Sequence, residues 1–174
     1  MRKFLTLLLL LTLWSCQSES QNPLKNIQLV TPAGDVIETT IVYTPEEQSQ
    51  GLSGVKNEDY KANQGMLFFY LEDDEKNFWM PDTYFDLDII FTDKNLKIVD
   101  IIRKLPHYIG RNNQELIPRA RPVWSRHALE LKADSPISQK LKVGDTLQWK
   151  SKLPLEETEK KIREAVQNQS HLNQ

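Results

Sequence analysis

Short apolar runs alternate with polar and turn-forming residues through most of the chain, a pattern typical of a protein built from many short β-strands. Turn residues separate the runs in two places and predict two hairpins. The first hairpin pairs Asn26–Thr31 with Asp35–Tyr43, and the second pairs Leu87–Phe91 with Leu96–Leu105.

Two aromatic-rich runs between these hairpins predict further strands. Met66–Leu71 is the first run and Phe78–Met80 is the second; an acidic turn, Glu72–Glu75, lies between them. Later in the chain, the patterns of Trp124–Lys132 and Thr146–Lys150 also predict strands.

The remaining segments predict helices and one long loop. Thr44, Pro45 and Glu47 form a capping-box sequence that begins a short helix before Gly51. Asp134-Ser135-Pro136 can cap a second short helix ending near Leu141, and Pro154–Gln167 is amphipathic with helical spacing. Pro106–Val123 contains three prolines and predicts an irregular loop.

The order of elements therefore predicts a mainly β (α+β) fold. We expect a small antiparallel β-barrel or sandwich-like domain with one or two short helices and a C-terminal helix. The β domain is predicted to span 26–152, and the C-terminal helical tail 153–174.

The N-terminal segment has the pattern of a bacterial lipoprotein signal peptide. Arg2 and Lys3 precede the apolar run Phe4–Leu13, which is too short to span a bilayer comfortably. Cys16 follows at the position of a lipidated cysteine. We therefore predict a signal peptide at 1–15, an acyl anchor on Cys16 and a flexible tether through residue 25. This predicts an extracytoplasmic, membrane-anchored protein of the cell envelope, located in the outer membrane or facing the periplasm rather than the cytoplasm.

Net charge and cysteine content limit the classes of function that the sequence suggests. The 174-residue chain is 39% hydrophobic and carries a net charge of −2, so its overall charge gives no indication of nucleic-acid binding. Cys16 is the only cysteine. If it is acylated, thiol chemistry and disulfides are excluded.

Several motifs in one order resemble the DUF192 (UPF0127) family. They are Gly51-Leu52, GMLFFY at 65–70, FWMPDT at 78–83, LDIIF at 87–91, Leu129-Glu130-Leu131 and Val143-Gly144-Asp145. The resemblance covers roughly 27–150 and implies a compact β-rich fold. The resemblance says little about a reaction or a ligand, because the family is named for having no known function. The usual Arg before the Gly-Leu box is Gln48 here, and the usual Met is Ser53.

Three carboxyl groups are candidate catalytic or binding residues. Asp86 and Asp88 are two apart, so on a strand they would share a face at roughly 6.5 Å. Such a pair could divide acid and base work, or Asp88 could instead have a structural partner. Glu130 faces away from its flanking leucines and could either join Asp88 or be exposed.

An aromatic wall and a basic loop could complete a site near these carboxyls. Trp79 and Thr83 could form the floor of a ligand pocket, or Trp79 could belong to a second core face. Arg119 and Arg121 lie in the predicted loop, where they could bind an anionic group, pair with the acidic segment, or face an anionic membrane.

No metal or cofactor site is expected. His127 and Glu130 are three residues apart and would diverge on a strand, whereas His107 and His171 stand alone in the sequence. We found no phosphate-binding glycine loop and no dinucleotide motif.

Three functions remain open. The favoured one is a binding or accessory module with a cleft of Trp79, Thr83, Asp88 and Glu130, rimmed by Arg119 or Arg121, for a small anionic or sugar ligand. The alternatives are a hydrolase of an envelope glycan, using Asp88 with Asp86 or Glu130, and a purely structural protein-interaction domain.

Overall fold

The computed structural model describes residues 24–172, so the predicted signal peptide, Cys16 and most of the predicted tether lie outside the described residues. The strands are β1 (Asn26–Val30), β2 (Val36–Val42), β3 (Gln64–Phe68), β4 (Asp74–Lys76), β5 (Leu87–Thr92), β6 (Ile98–Leu105), β7 (Val123–Ser125), β8 (His127–Lys132) and β9 (Gln148–Lys150). The α-helices are α1 (Pro45–Gln50), α2 (Pro136–Lys140) and α3 (Leu155–Leu172), and a 3₁₀ turn spans Asn57–Asp59.

Seven of these strands form one curled sheet in the order β6-β5-β8-β3-β2-β1-β9, and β4 pairs with β7 in a small second sheet. Neighbouring strands of the large sheet are antiparallel except β2 and β3, which are parallel. The predicted mainly β fold class is confirmed, in the form of a half-barrel with three helices.

Both predicted hairpins are confirmed. Leu29 lies opposite Ile37 across β1 and β2, and Ile90 lies opposite Ile101 across β5 and β6. Both short helices also form where the capping residues predicted them. The Thr44 side chain accepts from the Glu47 N–H, and the Ser135 side chain accepts from the Ser138 N–H.

The two faces of the sheet bury different apolar clusters. Leu129 and Leu131 of β8 belong to the first cluster with Ile90, whereas Ile89 and Phe91 of β5 belong to the second. The helix α3 packs on the first cluster through the fully buried Ile162. Because both faces are covered, every residue of β5 and β8 is buried.

Three sequence-based predictions of strands and turns need correction. Phe78–Met80 is not a strand, because Pro81 and Asp82 (φ 50°) turn the chain and leave only an isolated bridge from Trp79 to Arg119. The predicted strand Trp124–Lys132 is split at Arg126, because the chain passes there from the small sheet into the large one. The predicted acidic turn partly forms β4, which pairs with β7.

Candidate functional site

A cavity of about 90 Å³ lies between the end of α1, the turn after Trp79 and one face of the large sheet. Glu130 of β8 stands in its wall, and four aromatic rings surround it, those of Phe68, Tyr70, Phe78 and Trp79. The other lining residues are Gln48, Ser49, Gln50, Gly51, Leu52, Ser53, Asn77, Met80, Pro81, Thr83 and Leu87.

Local hydrogen bonds fasten α1 to the turn that closes this cavity. The Ser53 hydroxyl donates to the Pro81 carbonyl oxygen at 2.6 Å, and the Gly54 N–H donates to the Asp82 carbonyl oxygen at 2.8 Å. Gly51 ends the helix with φ 48°, and a Cβ there would lie 3.2 Å from the Phe68 ring. A glycine at this position therefore both allows the turn and keeps the cavity wall close-packed.

The opposite wall is held by the loop that follows β6. The Met80 N–H donates to the Pro118 carbonyl oxygen at 3.1 Å, and the Ala120 N–H donates to the Phe78 carbonyl oxygen at 2.8 Å. These bonds place the Arg119 guanidinium 5.1 Å from the centre of the Trp79 ring, within cation–π range. Trp79 remains 37% exposed at the rim.

Glu130 is the unusual group in this cavity. Its side chain lies between Met66 of β3 and Ile89 of β5, its direct neighbours across the sheet. The residue is 5% exposed, and its Oε2 atom is buried without a hydrogen-bond partner in the described part of the chain. Burial raises the pKa of Glu130 to about 8, so the carboxyl group is protonated in neutral solution.

Two tyrosines share this electrostatic environment. Burial, reinforced by the nearby Glu130, raises the pKa of Tyr70 to about 12 and raises that of Tyr60 further. The Tyr60 hydroxyl is also buried without a hydrogen-bond partner among residues 24–172. Both phenols therefore stay neutral, and a buried polar group without a partner is costly unless something completes its bonding.

Asp88 lies on the other face of the sheet, so the structure does not bring it into the cleft predicted with Trp79, Thr83 and Glu130. Its Oδ2 accepts from Arg103 at 2.6 Å and from the Ser138 hydroxyl at 2.7 Å, and its Oδ1 accepts from the Lys104 N–H at 2.8 Å. These bonds match the structural alternative for Asp88, in which the carboxylate joins β5, β6 and α2.

Asp86 precedes β5 and lines a separate open depression of about 440 Å³. Its carboxylate lies 2.6 Å from the His107 ring, so His107 is not isolated in the fold. Burial alone would raise the pKa of Asp86, but hydrogen bonds from His107 lower it. Asp86 lies just before β5, which begins at Leu87, and the two aspartates have different partners, His107 for Asp86 and Arg103 for Asp88.

The predicted rim arginines are separated from each other. Arg119 lies over the Trp79 ring, whereas one guanidinium nitrogen of Arg121 donates to both carboxylate oxygens of Asp100 in β6, at 2.6 and 2.8 Å. Other basic residues do pair with the acidic segment, since Arg126 bonds Asp73 at 2.6 Å. His127 and Glu130 face opposite sides of β8, as expected for residues three apart on a strand.

Sequence reasoning missed the polar residues of the cavity wall. Gln48 and Ser53 come from the α1 region and Tyr70 follows β3, so they meet Glu130 only through the tertiary fold. One signal was available in the sequence: a carboxyl between Leu129 and Leu131 on a strand that is apolar on both sides.

Comparison with known proteins agrees with this fold. The family model DUF192, described only as an uncharacterized ACR, matches residues 28–149. The chain belongs to the DUF192 family. No curated protein matches the sequence significantly.

Two solved structures share the DUF192 fold of this chain. One is a candidate transcription regulator from Sinorhizobium meliloti 1021, with 24% identity, a TM-score of 0.55 and coverage of 72% of this chain and 92% of that one. The other is a protein of unknown function from Novosphingobium aromaticivorans DSM 12444, with 23% identity, a TM-score of 0.57 and coverage of 71% and 84%. At these identities the likeness concerns the fold alone. Within residues 24–172, no helix has the length and apolar character needed to cross a membrane.

Proposed function

We propose that this DUF192 protein is a ligand-binding module of the cell envelope, tethered through an acyl group on Cys16. Its binding site is the cavity at Glu130, with Trp79 at the entrance and Thr83 in the wall. Trp79, Thr83 and Glu130 remain from the sequence-based cleft, while Asp88 is replaced by Gln48 of α1 and by Ser53, which follows that helix.

The observation that carries the proposal is the unpartnered Glu130 carboxyl in a polar cavity. A buried carboxyl oxygen without a hydrogen-bond partner, as Glu130 Oε2 is, destabilises a fold by about 1–3 kcal/mol, so structural need alone does not account for it. By contrast, Asp88 is as deeply buried and has three partners. A ligand that bonds Glu130 would supply what the folded chain lacks.

The geometry favours binding over glycan hydrolysis. A carboxylate-based glycosidase needs two carboxyl groups about 5–9.5 Å apart across one groove. Among residues 24–172, Glu130 is the only carboxyl that lines the cavity, while Asp88 and Asp86 border other depressions. The hydrolase alternative therefore lacks its second carboxyl at this site.

A direct test compares fragment binding by the purified protein and its Glu130→Gln variant. A panel of small amines, amides, alcohols, sugars and carboxylates is titrated while the amide NMR signals of Gln48–Ser53 and Trp79–Thr83 are followed. We expect at least one chemical class to shift both segments and to lose affinity in Glu130→Gln. Glu115→Gln, an exposed loop change of the same chemistry, is the matched control. A panel without any such fragment would overturn the proposal.

The anchor has a separate test in cells. Cys16→Ala should abolish labelling by a fatty-acid analogue and release the protein from the membrane fraction, because Cys16 is the only cysteine. Ser15→Ala retains that cysteine and should remain labelled. Labelling that persists in Cys16→Ala contradicts lipidation.

A further inference from the structure

Three polar side chains of the cavity proposed above as the binding site already donate their hydrogen bonds to backbone carbonyl oxygens. The hydroxyl groups of Ser53 and Thr83 both donate to the Pro81 carbonyl oxygen, at 2.6 and 3.3 Å. Each hydroxyl has one proton, so both oxygens offer only lone pairs to a further partner.

The side chain of Gln48 also donates its hydrogen bonds to the backbone. Its amide nitrogen donates to the carbonyl oxygens of Val42 and Phe69, at 3.5 and 3.2 Å. The side-chain N–H groups are thus committed to the backbone, which leaves the amide oxygen as the remaining acceptor. Three side chains from separate turns of the chain therefore complement a ligand that carries several donors.

The described part of the chain gives the cavity no positive charge. Of its residues, no lysine, arginine or histidine lines the cavity, and Glu130 is the only acidic one that does. Two cations make cation–π contacts with aromatic rings that line the cavity. The Arg119 guanidinium lies over the Trp79 ring, and the Lys76 ammonium group lies 4.1 Å from the centre of the Tyr70 ring. Neither forms an ion pair with Glu130.

We propose that the ligand group is a small organic cation, an alkylammonium or guanidinium, that binds Glu130 as its carboxylate. This inference rests on the proposed function and names its ligand class. A volume of about 90 Å³ corresponds to roughly three water molecules, enough for such a head group but not for a whole drug-sized ligand. The rest of the ligand would extend past Trp79 at the rim.

Binding of a cation would be coupled to a proton. In the empty cavity the protonated carboxyl is favoured because burial penalises the charged form. An entering cation favours the carboxylate, so the Glu130 proton leaves to solvent as the ion pair forms, and charge is conserved. The other titratable groups that sense Glu130, Tyr60 and Tyr70, have raised pKa values and keep their protons.

A metal ion fits this cavity less well. Calcium and magnesium take about six or more oxygen ligands, usually including several carboxylates or waters. Among the described residues, no three His, Cys, Asp or Glu side chains come together as metal ligands. One carboxyl beneath aromatic rings matches an organic cation, which the ring faces also attract.

The test follows the ¹³C signal of the Glu130 carboxyl during pH titration of the purified protein, with and without probe. The probes are methylguanidinium and methylammonium, and the neutral counterparts of similar shape are methylurea and methanol. At a cation concentration about ten times its dissociation constant, we expect the apparent pKa of Glu130 to fall by about one unit. The neutral compounds should leave it unchanged, and Glu130→Gln should weaken cation binding.

The outcomes separate the two proposals. If methylurea or methanol binds at the cavity as tightly as its cationic counterpart, the cation inference is overturned and the binding function stands. Cations that bind equally well to Glu130→Gln also overturn the inference. If neither these cations nor any fragment of the wider panel binds, both proposals fail.

Discussion

The carboxyl groups of Asp88 and Glu130 lie on opposite faces of two adjacent strands. Asp88 is opposite Leu131 and Glu130 is opposite Ile89, so a shift of one residue along the β5–β8 ladder separates them. The same sheet thus buries the Asp88 carboxylate among hydrogen-bond donors, whereas the Oε2 atom of Glu130 is buried in a cavity without a hydrogen-bond partner in the described part of the chain. The two residues should respond in opposite ways to mutation and pH.

Removing the charge of Asp88 should destabilise the fold. Asp88→Asn weakens the contacts with Arg103, Ser138 and the Lys104 N–H, and leaves Arg103 without its carboxylate. Because Arg103 is 37% exposed and partly solvated, we expect a loss of about 2–4 kcal/mol rather than more. Urea unfolding measures it. Asp35→Asn, which weakens the exposed pair with Lys140, is the control and should cost under about 1 kcal/mol.

Glu130 should make stability fall as pH rises. The folded state holds a proton that the unfolded state releases between pH 4.5 and about 8, so the folded state binds more protons throughout that window. The contribution has a slope of up to about 1.4 kcal/mol per pH unit. In urea unfolding series, Glu130→Gln should gain stability relative to the wild-type protein as pH rises through this window. A constant difference between the two proteins would contradict the raised pKa.

His127 should remain neutral well below its usual range. Burial, reinforced by the positive charge of Arg126, lowers the pKa of His127 to about 3. Its Nδ1 accepts from the Tyr70 N–H at 3.3 Å, which places the proton on Nε2. We expect ¹⁵N NMR at pH 5 to show this neutral tautomer. Since the folded pKa is depressed, the associated stability is present above pH 6.5 and is lost as pH falls towards 3. A protonated ring at pH 5 would disprove this.

An arginine at position 48 should supply the cavity with an internal cation. Gln48 lines the same cavity as Glu130 and has no charge. In Gln48→Arg we expect the guanidinium to pair with Glu130, lower its pKa and compete with added methylguanidinium. The carboxyl ¹³C titration measures both effects. Gln48→Met, similar in length but neutral, is the control and should leave the pKa raised.

The C-terminal helix should contribute to the stability of the β domain. Ile162 is fully buried in the first apolar cluster, so Ile162→Ala should cost about 2–5 kcal/mol. The exposed Lys160 on the same helix provides the comparison, since Lys160→Ala should change stability by less than about 0.5 kcal/mol. Equal effects of the two variants in urea unfolding would show that α3 is not docked in solution.

Local signals in the sequence predicted much of this fold. The turn at Thr31–Asp35 and the capping box at Thr44 act over a few residues, so the first hairpin and α1 form where expected. The parallel pairing of β2 and β3 has no such local signal, because their contact spans α1 and a long connection. The Phe78–Met80 prediction was wrong because aromatic content resembled a strand, while Pro81 and Asp82 end the extended segment.

The candidate site was only partly predictable. Alternation in Leu129-Glu130-Leu131 correctly set Glu130 apart from the leucines, but it could not distinguish exposure from burial beneath a second layer. The second layer consists of the second apolar cluster and α1. The position of α1 near Glu130 depends on long-range contacts, such as the hydrogen bond from the Ser53 hydroxyl to the Pro81 carbonyl oxygen. Asp88 appeared a suitable site residue because its partners Arg103 and Ser138 are 15 and 50 residues away.

The most direct measurement is the site-resolved titration of the Glu130 carboxyl in the ligand-free protein. Selective ¹³C labelling of glutamate, with Glu130→Gln to assign the signal, gives its pKa without reference to any ligand. We expect a pKa of about 8, far above the ordinary value of 4.5. A pKa close to 4.5 would show that Glu130 is solvated or already paired, and would contradict the unpartnered cavity carboxyl on which both proposals rest.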